Sequence, residues 1–247
     1  GKFEEAYKLL KPWTDAHRDD GDARLAAAFC AIELRRGAEA DALLSGLPEE
    51  NPQVRLLKGR LLVARGDPRG AIALLSPLES APPKEIDREL RWVLGEARME
   101  IGEAAGAVAL LEGHIGPEDA DMALLLAQAY QQTGSPEKVL ATLKSYVDWL
   151  PEPSSVDGIA AERRPVLAAM ALEYGRALIA GSRWAEAVRV LESATGLNAS
   201  NLPAWQALGQ ALAGAGRRDE AKKVLEKFQE LSKAAPRKDL STPPIDQ

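Results

Sequence analysis

Apolar residues recur three and four positions apart in two neighbouring segments near the end of the chain, residues 202–214 and 217–232. This spacing predicts two amphipathic helices, each with one buried face. Gly216 stands between them, and glycine adopts at little cost the left-handed conformation that ends a helix. Two helices of this length cannot cover their own apolar faces. The pattern therefore predicts that the pair stacks on neighbouring helices.

The same pattern occurs once more, earlier in the chain. Four residue pairs are each 34 positions apart: Gly175 and Gly209, Leu178 and Leu212, Ala187 and Ala221, and Leu191 and Leu225. A fixed period of this size is typical of stacked helical repeats. Because Gly209 has no side chain, we expect it where the two helices of a pair approach most closely.

The later copy reads Trp205-x-x-Leu208-Gly209-x-x-Leu212, followed by Ala221-x-x-x-Leu225. It closely resembles the pattern of the tetratricopeptide repeat family. The resemblance implies an all-α fold, a right-handed α-solenoid of stacked antiparallel helix pairs. It also implies that the chain works by binding other proteins.

The pattern extends over residues 1–235, which we interpret as a single solenoid. A leading half-repeat at about residues 1–18 is followed by six units, at residues 22–50, 52–87, 88–119, 120–153, 168–201 and 202–235. Residues 152–164 form an inserted loop, because the register slips there and proline, serine and glycine accumulate. Residues 236–247 lack any periodic pattern and are expected to be a flexible tail.

The first full unit has the weakest register. We align Ala26, Phe29, Cys30 and Gly37 with Trp205, Leu208, Gly209 and Gly216, which places Cys30 at the small packing position. Only 29 residues then separate Cys30 from Gly59, so this unit lacks several residues of the period. The half-repeat before it favours the hypothesis that the chain was cut from a longer protein. A natural lone capping helix is the alternative.

Composition and charge exclude several classes of function. The net charge of −6 is mild, so nucleic acid and acidic membrane surfaces are not expected partners. No run of eighteen apolar residues occurs, so this segment is not expected to insert into a membrane. The only cysteine is Cys30, which excludes an internal disulfide framework.

Catalytic chemistry is not expected either. His17 and His114 are distant in the sequence and have no carboxylate or thiol at metal-ligand spacing. Neither a catalytic triad nor a phosphate-binding glycine motif is present. We therefore predict a protein that is not an enzyme and that needs no metal and no cofactor.

In the tetratricopeptide family, four positions on the first helix of each unit line a binding groove. Carried over to this chain, the resemblance implies a groove of eleven residues: Leu56, Arg60, Trp92, Glu96, Met99, Leu124, Gln128, Leu172, Arg176, Gln206 and Gln210. Apolar anchors beside polar groups suit an extended peptide or an amphipathic helix. The alternative is that these leucines only pack between adjacent first helices.

Trp92 is the strongest candidate of the set, because tryptophan is enriched among binding hot spots. The other tryptophans, Trp13, Trp149, Trp184 and Trp205, fall at apparent packing positions.

These patterns predict a non-enzymatic scaffold that binds a peptide or helix of a partner protein and helps to assemble a multiprotein complex. The alternative is the accessory portion of a larger protein, either enzyme-linked or from a secretion, pilus or polysaccharide-export machine. Binding of single-stranded RNA requires a basic groove. Glu89, Glu96, Glu100 and Asp121 argue against one.

Overall fold

The computed structural model describes residues 2–116, 119–148, 150 and 158–234, and within these ranges it contains α-helices and no β-strand. The helices are α1 (Lys2–Ala16), α2 (Gly21–Glu33), α3 (Gly37–Leu44), α4 (Pro52–Ala64), α5 (Pro68–Leu75), α6 (Asp87–Glu100), α7 (Ala104–Leu111), α8 (Ala120–Gln132), α9 (Pro136–Val147), α10 (Arg164–Ala180), α11 (Trp184–Leu197), α12 (Leu202–Gly214) and α13 (Arg218–Ala234). A short 3₁₀ turn at Ser76–Leu78 follows α5. The predicted class, an all-α solenoid of stacked antiparallel helix pairs, is confirmed.

Several helices begin at a capping side chain or at a proline. The side chain of Asp20 accepts a hydrogen bond from the backbone N–H of Ala23 at 2.9 Å, which caps α2. Asp67 caps α5 in the same way by accepting from Gly70 N–H at 2.8 Å. Such side chains satisfy backbone donors that have no partner inside the helix. Pro52 opens α4, where its fixed backbone angle is already helical.

In four helix pairs, a single glycine forms the turn between the two helices. Gly66, Gly102, Gly134 and Gly216 all have positive φ angles, between 69° and 80°. Glycine adopts this left-handed conformation without the steric cost that a Cβ atom brings. The next helix therefore starts two residues later and runs back along the first.

Two compact units divide the described chain, one within residues 2–114 and one within residues 115–234. In the N-terminal unit, α2, α4 and α6 lie side by side, while α3 packs on α2 and α4, and α5 packs on α4 and α6. In the C-terminal unit, α8, α10 and α12 lie side by side in the same way. We call these six the first helices, because each opens a helix pair.

Each unit has a core of aliphatic side chains between the first helices and their partners. In the N-terminal unit the fully buried residues include Leu44, Leu75, Leu94 and Leu111. In the C-terminal unit they include Leu143, Met170, Leu191 and Leu212. Close packing of these side chains supplies most of the stabilisation of such stacks.

The predicted register of the first unit is wrong by two residues. The left-handed residue after α2 is Arg35, with φ 58°, whereas Gly37 is already the first residue of α3. Counting back from Arg35 as in the other units puts Ala28, not Cys30, at the small packing position. Ala28 and Ala40 are both completely buried. Gly37 resembles the turn glycines of the other units in the sequence, but the chain turns two residues earlier, at Arg35.

The described tryptophans divide between half-buried and exposed positions. Trp184 and Trp205 are half-buried, as predicted. The packing role predicted for Trp13 is wrong, because its side chain is 51% exposed and stacks on His17 at 3.9 Å between ring centres. Trp149 lies outside the described residues, as do residues 152–157 of the predicted loop and the whole predicted tail, 236–247.

Candidate functional site

An open pocket lies on the N-terminal unit where α2, α4 and α6 run side by side. It has a volume of about 290 Å³. Ten residues line it: Ile32, Glu33, Arg35, Arg60, Val63, Ala64, Trp92, Val93, Glu96 and Glu100. We call it the α4 pocket, because α4 forms its floor.

The repeat register explains why a pocket forms at this place. Glu33, Ala64 and Glu100 occupy equivalent positions on the three helices, five residues after Ala28, Gly59 and Gly95. The central helix carries the shortest of the three side chains. A gap over Ala64 is therefore left between two glutamates.

Arg60 is held in one orientation at the side of the pocket. Its guanidinium carbon lies 5.0 Å from the centre of the Phe29 ring and 5.3 Å from the centre of the Trp92 ring. Its Nη2 atom also donates to a carboxylate oxygen of Glu33. Cation–π contacts of this kind are favourable, and more so when they are shielded from water. Only 12% of the Arg60 side chain is exposed, so the three helices are joined there by a rigid contact.

A second aromatic contact continues this arrangement towards α1. The ring of Phe3 meets the ring of Phe29 edge to face, with 5.7 Å between ring centres. Edge-to-face packing is a preferred geometry for aromatic pairs. Phe29 is thus fixed from both sides, by Phe3 and by Arg60.

The lining of the α4 pocket is more acidic than basic. Three glutamates face two arginines, and the ion pair of Glu33 with Arg60 neutralises one charge of each sign. Counted together, the five charged side chains of the lining give a formal charge of −1. Within the described residues neither Arg35 nor Glu100 forms an ion pair.

A family profile described as "Tetratricopeptide repeat" matches residues 1–61 and 168–232, about half of the chain. The chain belongs to the tetratricopeptide repeat family. Tetratricopeptide repeats are typically protein-interaction modules without catalytic activity, so the family supports a protein-interaction scaffold in general terms. No curated protein matches the chain.

Solved structures with similar folds include other repeat proteins. One titled MamA AMB-1 is 23% identical, with a TM-score of 0.58 over 73% of this chain and 99% of that chain. A second MamA structure is 20% identical, with a TM-score of 0.58 over 80% and 100% of the two chains. TPR-like repeats of a putative kinesin light chain from Podosopora anserina are 21% identical, with a TM-score of 0.56 over 77% and 99%. At these identities the likeness concerns the fold alone.

The structure brings three of the predicted groove residues of this tetratricopeptide repeat protein together. Arg60, Trp92 and Glu96 all line the α4 pocket. Leu56 is only 6% exposed, so its side chain packs between helices and offers little surface to a partner. Met99 is half-buried on α6 and is not part of the pocket lining.

The predicted groove residues of the C-terminal unit differ in accessibility. Gln206 and Gln210 on α12 are exposed, and Leu124 and Gln128 on α8 are half-buried. Leu172 is 6% exposed, as Leu56 is. Arg176 pairs with Glu173 at 3.2 Å. That all eleven residues form one groove stays a prediction.

Sequence reasoning missed the contribution of α2 to the pocket. Ile32, Glu33 and Arg35 line it, and Phe29 supports it through Arg60. In the corrected register Phe29 and Ile32 stand at groove positions, so the small residues at 28 and 40 and the leucine at 44 are the sequence signal for these two. Glu33 and Arg35 lie outside the groove positions in either register.

The described part of the chain was compared with the requirements of a metal site, a reactive thiol and a membrane-spanning helix, and it meets none of them. No three His, Cys, Asp or Glu side chains come together there to hold a metal ion. Cys30 is buried, and burial raises the pKa of its thiol. A thiol with a raised pKa is a poor nucleophile at neutral pH. No described helix is both long enough and apolar enough to cross a membrane.

Proposed function

We propose that the N-terminal unit binds a segment of a partner protein in the α4 pocket and thereby acts as a scaffold in the assembly of a multiprotein complex. One observation carries this proposal. Glu33, Arg60 and Trp92, from three successive first helices, meet around one open pocket. Such a surface suits a segment that crosses the helices.

The residue types in the pocket support a protein partner. Tryptophan and arginine are the residues most enriched among binding hot spots. Arg60 and Trp92 are also held in place before binding, so ordering them costs little entropy.

The size of the pocket supports the same partner. Its volume of about 290 Å³ lies at the lower limit of small-molecule pockets, which are roughly 300–1,000 Å³. It therefore suits one or two side chains of a longer segment better than a drug-sized ligand. In the C-terminal unit, the exposed Gln206 and Gln210 stay candidate contacts.

The test uses a random peptide library displayed on phage and selected on the 247-residue chain. Affinities of the selected peptides are measured by fluorescence anisotropy for the wild type, Trp92→Ala and Trp13→Ala. Trp92→Ala should weaken binding about tenfold or more, because it removes a hot-spot side chain. Trp13→Ala is the matched control, because Trp13 is exposed on α1 and is not part of the pocket lining.

Circular dichroism and thermal unfolding establish that both variants are folded as the wild type is. The proposal is contradicted if no peptide is selected. It is equally contradicted if the selected peptides bind Trp92→Ala as tightly as the wild type.

A further inference from the structure

Two charged side chains in the lining of the α4 pocket have no counter-charge among the described residues. Arg35 and Glu100 are both exposed, and neither forms an ion pair with any described residue. The other charges of the lining are already engaged, since Glu33 pairs with Arg60 and Glu96 has an interaction of its own. Arg35 and Glu100 are therefore the two charges that a partner has to satisfy.

These two charges lie on opposite sides of the pocket. Arg35 follows the end of α2, Glu100 is the last residue of α6, and α4 lies between these two helices. The axes of packed neighbouring helices are about 8–10 Å apart, so those of α2 and α6 are at most roughly 20 Å apart. An extended chain advances about 3.3 Å per residue, so about five or six residues span that distance.

Apolar side chains line the space between the two charges. Val63 and Ala64 of α4 form the centre, with Ile32 of α2 and Val93 of α6 on either side. Covering such a surface with an apolar side chain removes it from water, which is favourable. From α2 to α6, the pocket thus presents a cation, an apolar centre and a carboxylate.

The α2 side of the pocket adjoins a small recess of about 20 Å³. Arg35 lines this recess as well as the α4 pocket, and Ala38 and Leu61 contribute apolar surface to it. Arg65 also lines the recess but is paired with Asp41, so Arg35 supplies the charge that is not compensated there. A carboxylate bound to Arg35 would therefore lie beside apolar surface, where partial shielding from water strengthens an ion pair.

The two charges select one orientation of a bound segment. A segment with an acidic residue near Arg35 and a basic residue near Glu100 forms two ion pairs with the pocket. Turned around, the same segment brings like charges together at both places, and like charges at an interface are unfavourable. An uncharged segment would cover both ions without replacing the water around them, which costs free energy.

We propose that the segment bound in the α4 pocket carries both charges and lies in this one orientation. Its acidic side chain pairs with Arg35, its basic side chain pairs with Glu100, and apolar residues between them lie over Val63 and Ala64. The two charged residues are about five positions apart, the number that spans the three helices in an extended chain. The inference rests on the proposed function, because it names the partner chemistry of that same pocket. It depends on the side chains of this chain and does not follow from membership of the repeat family.

The experiment uses peptides selected on the wild-type chain, as described above. Each peptide is made in its selected form, in a form with the acidic and basic residues exchanged, and in two forms with one of them replaced by glutamine. The exchanged form should bind the wild type about tenfold more weakly, because two attractive contacts become repulsive. Raising the salt concentration should reduce this difference, because partly exposed charges are screened.

The double variant Arg35→Glu/Glu100→Arg should reverse the preference and bind the exchanged form more tightly than the selected form. The matched control is Arg218→Glu/Glu226→Arg, which makes the same two charge changes at exposed positions on α13, outside the pocket lining. The control should keep the preference of the wild type. Circular dichroism and thermal unfolding establish that both double variants are folded.

Single variants assign each contact separately. Arg35→Gln should weaken binding of the selected form about threefold, and it should not change binding of the form that lacks the acidic residue. Glu100→Gln should behave in the same way towards the form that lacks the basic residue. A photo-crosslinking residue next to the acidic position should label α2 or α3, whereas one next to the basic position should label α6.

The possible results separate the two proposals. Selected peptides without such an acidic and basic pair, or a double variant that keeps the preference of the wild type, would overturn the inference. The proposed function would still stand if Trp92→Ala weakened their binding. Failure to select any peptide, or peptides indifferent to Trp92→Ala, would overturn the proposed function itself and the inference with it.

Discussion

Arg35 and Ser182 are the two residues other than glycine with a left-handed backbone in the described part of the chain, with φ 58° and 57°. They occupy the turn positions that Gly66, Gly102, Gly134 and Gly216 hold in the other pairs. A Cβ atom in this conformation costs roughly 1–2 kcal/mol. Two of the six turns are therefore strained where the other four are relaxed.

We expect Ser182→Gly to raise the free energy of unfolding by about 0.5–1 kcal/mol, because relief of strain exceeds the added entropy of the unfolded chain. Arg35→Gly should gain less, because a cation near the end of α2 interacts favourably with the helix dipole. The reverse change Gly102→Ala should cost about 1 kcal/mol. That cost is purely conformational, because no atom lies within 4 Å of the added Cβ. Urea unfolding measures all three, and a loss of stability in Ser182→Gly would contradict the interpretation.

Glu173 is a carboxylate at a position that is apolar in neighbouring units, where Leu57, Val93, Leu125 and Ala207 stand. It is buried on α10, and Arg176 donates to it at 3.2 Å. Burial raises the pKa of Glu173 above its usual value, and the charge and hydrogen bond of Arg176 offset only part of that effect. The folded protein thus holds this proton more tightly than the unfolded chain does.

A carboxyl group whose pKa is raised on folding contributes most stability below its unfolded pKa, and the contribution is lost as pH rises through the folded pKa. We therefore expect Glu173→Gln to be more stable than the wild type at pH 7.5, with the difference shrinking towards pH 4. Thermal unfolding of both proteins at several pH values measures this difference. A difference that stays constant from pH 4 to pH 7.5 would contradict the prediction.

At the scale of helices, the closest contact within a pair is a glycine on the first helix against a leucine on the second. A Cβ added at Gly59 would lie 2.5 Å from Leu75 Cδ1, and one added at Gly209 would lie 2.9 Å from Leu225 Cδ2. Leu75 is completely buried, whereas Leu225 is 41% exposed. The same repeat position therefore has a fixed neighbour in one pair and a movable neighbour in the other.

We expect Gly59→Ala to lower the free energy of unfolding by about 1–3 kcal/mol, because overpacking a fixed neighbour costs that much. Gly209→Ala should be near neutral, since Leu225 can move and alanine favours the helix by up to about 1 kcal/mol. Chemical unfolding of the two variants tests the difference between them. Equal losses in both would show that exposure of the leucine does not decide the cost.

In the N-terminal unit, arginines of the first helices donate hydrogen bonds to the C-terminal turns of the helices that follow them. Arg24 Nε donates to the carbonyl oxygen of Leu43 at 3.0 Å, and Arg91 Nη1 donates to that of Leu110 at 3.3 Å. These carbonyls belong to the last turns of α3 and α7, where intrahelical donors are missing. A cation there also complements the helix dipole. These contacts supply donors to the last turns of α3 and α7, which have eight residues each.

At the scale of the whole molecule, the chain repeats one helix pair and varies the residues on its surface. Each compact unit has its own buried core, and the candidate site lies within the N-terminal unit. Because the chain divides into two compact units, a single continuous solenoid over residues 1–235 stays a prediction. The pocket exists because one short residue, Ala64, lies between two longer ones on neighbouring helices.

The fold could be predicted almost completely from the sequence, and the candidate site only in part. Arg60, Trp92 and Glu96 were found because they stand at family groove positions in units with regular spacing. Glu33 and Glu100 were not, because they share a repeat position outside the four groove positions and line the pocket only beside the gap over Ala64. Arg35 was not, because it is a turn residue where four other pairs have glycine.

By itself the sequence determined the helix pairs, their boundaries outside the first unit and the family, because these depend on local patterns: apolar spacing, capping side chains and glycine turns. Only the tertiary structure decided which side chains are accessible. Leu56 and Leu172 stand at groove positions, yet adjacent helices bury them to 6% exposure. It also decided that Arg60 lies between Phe29 and Trp92 and pairs with Glu33. Those contacts join three helices that are distant in sequence, and only the packing of the helices sets the distances between them.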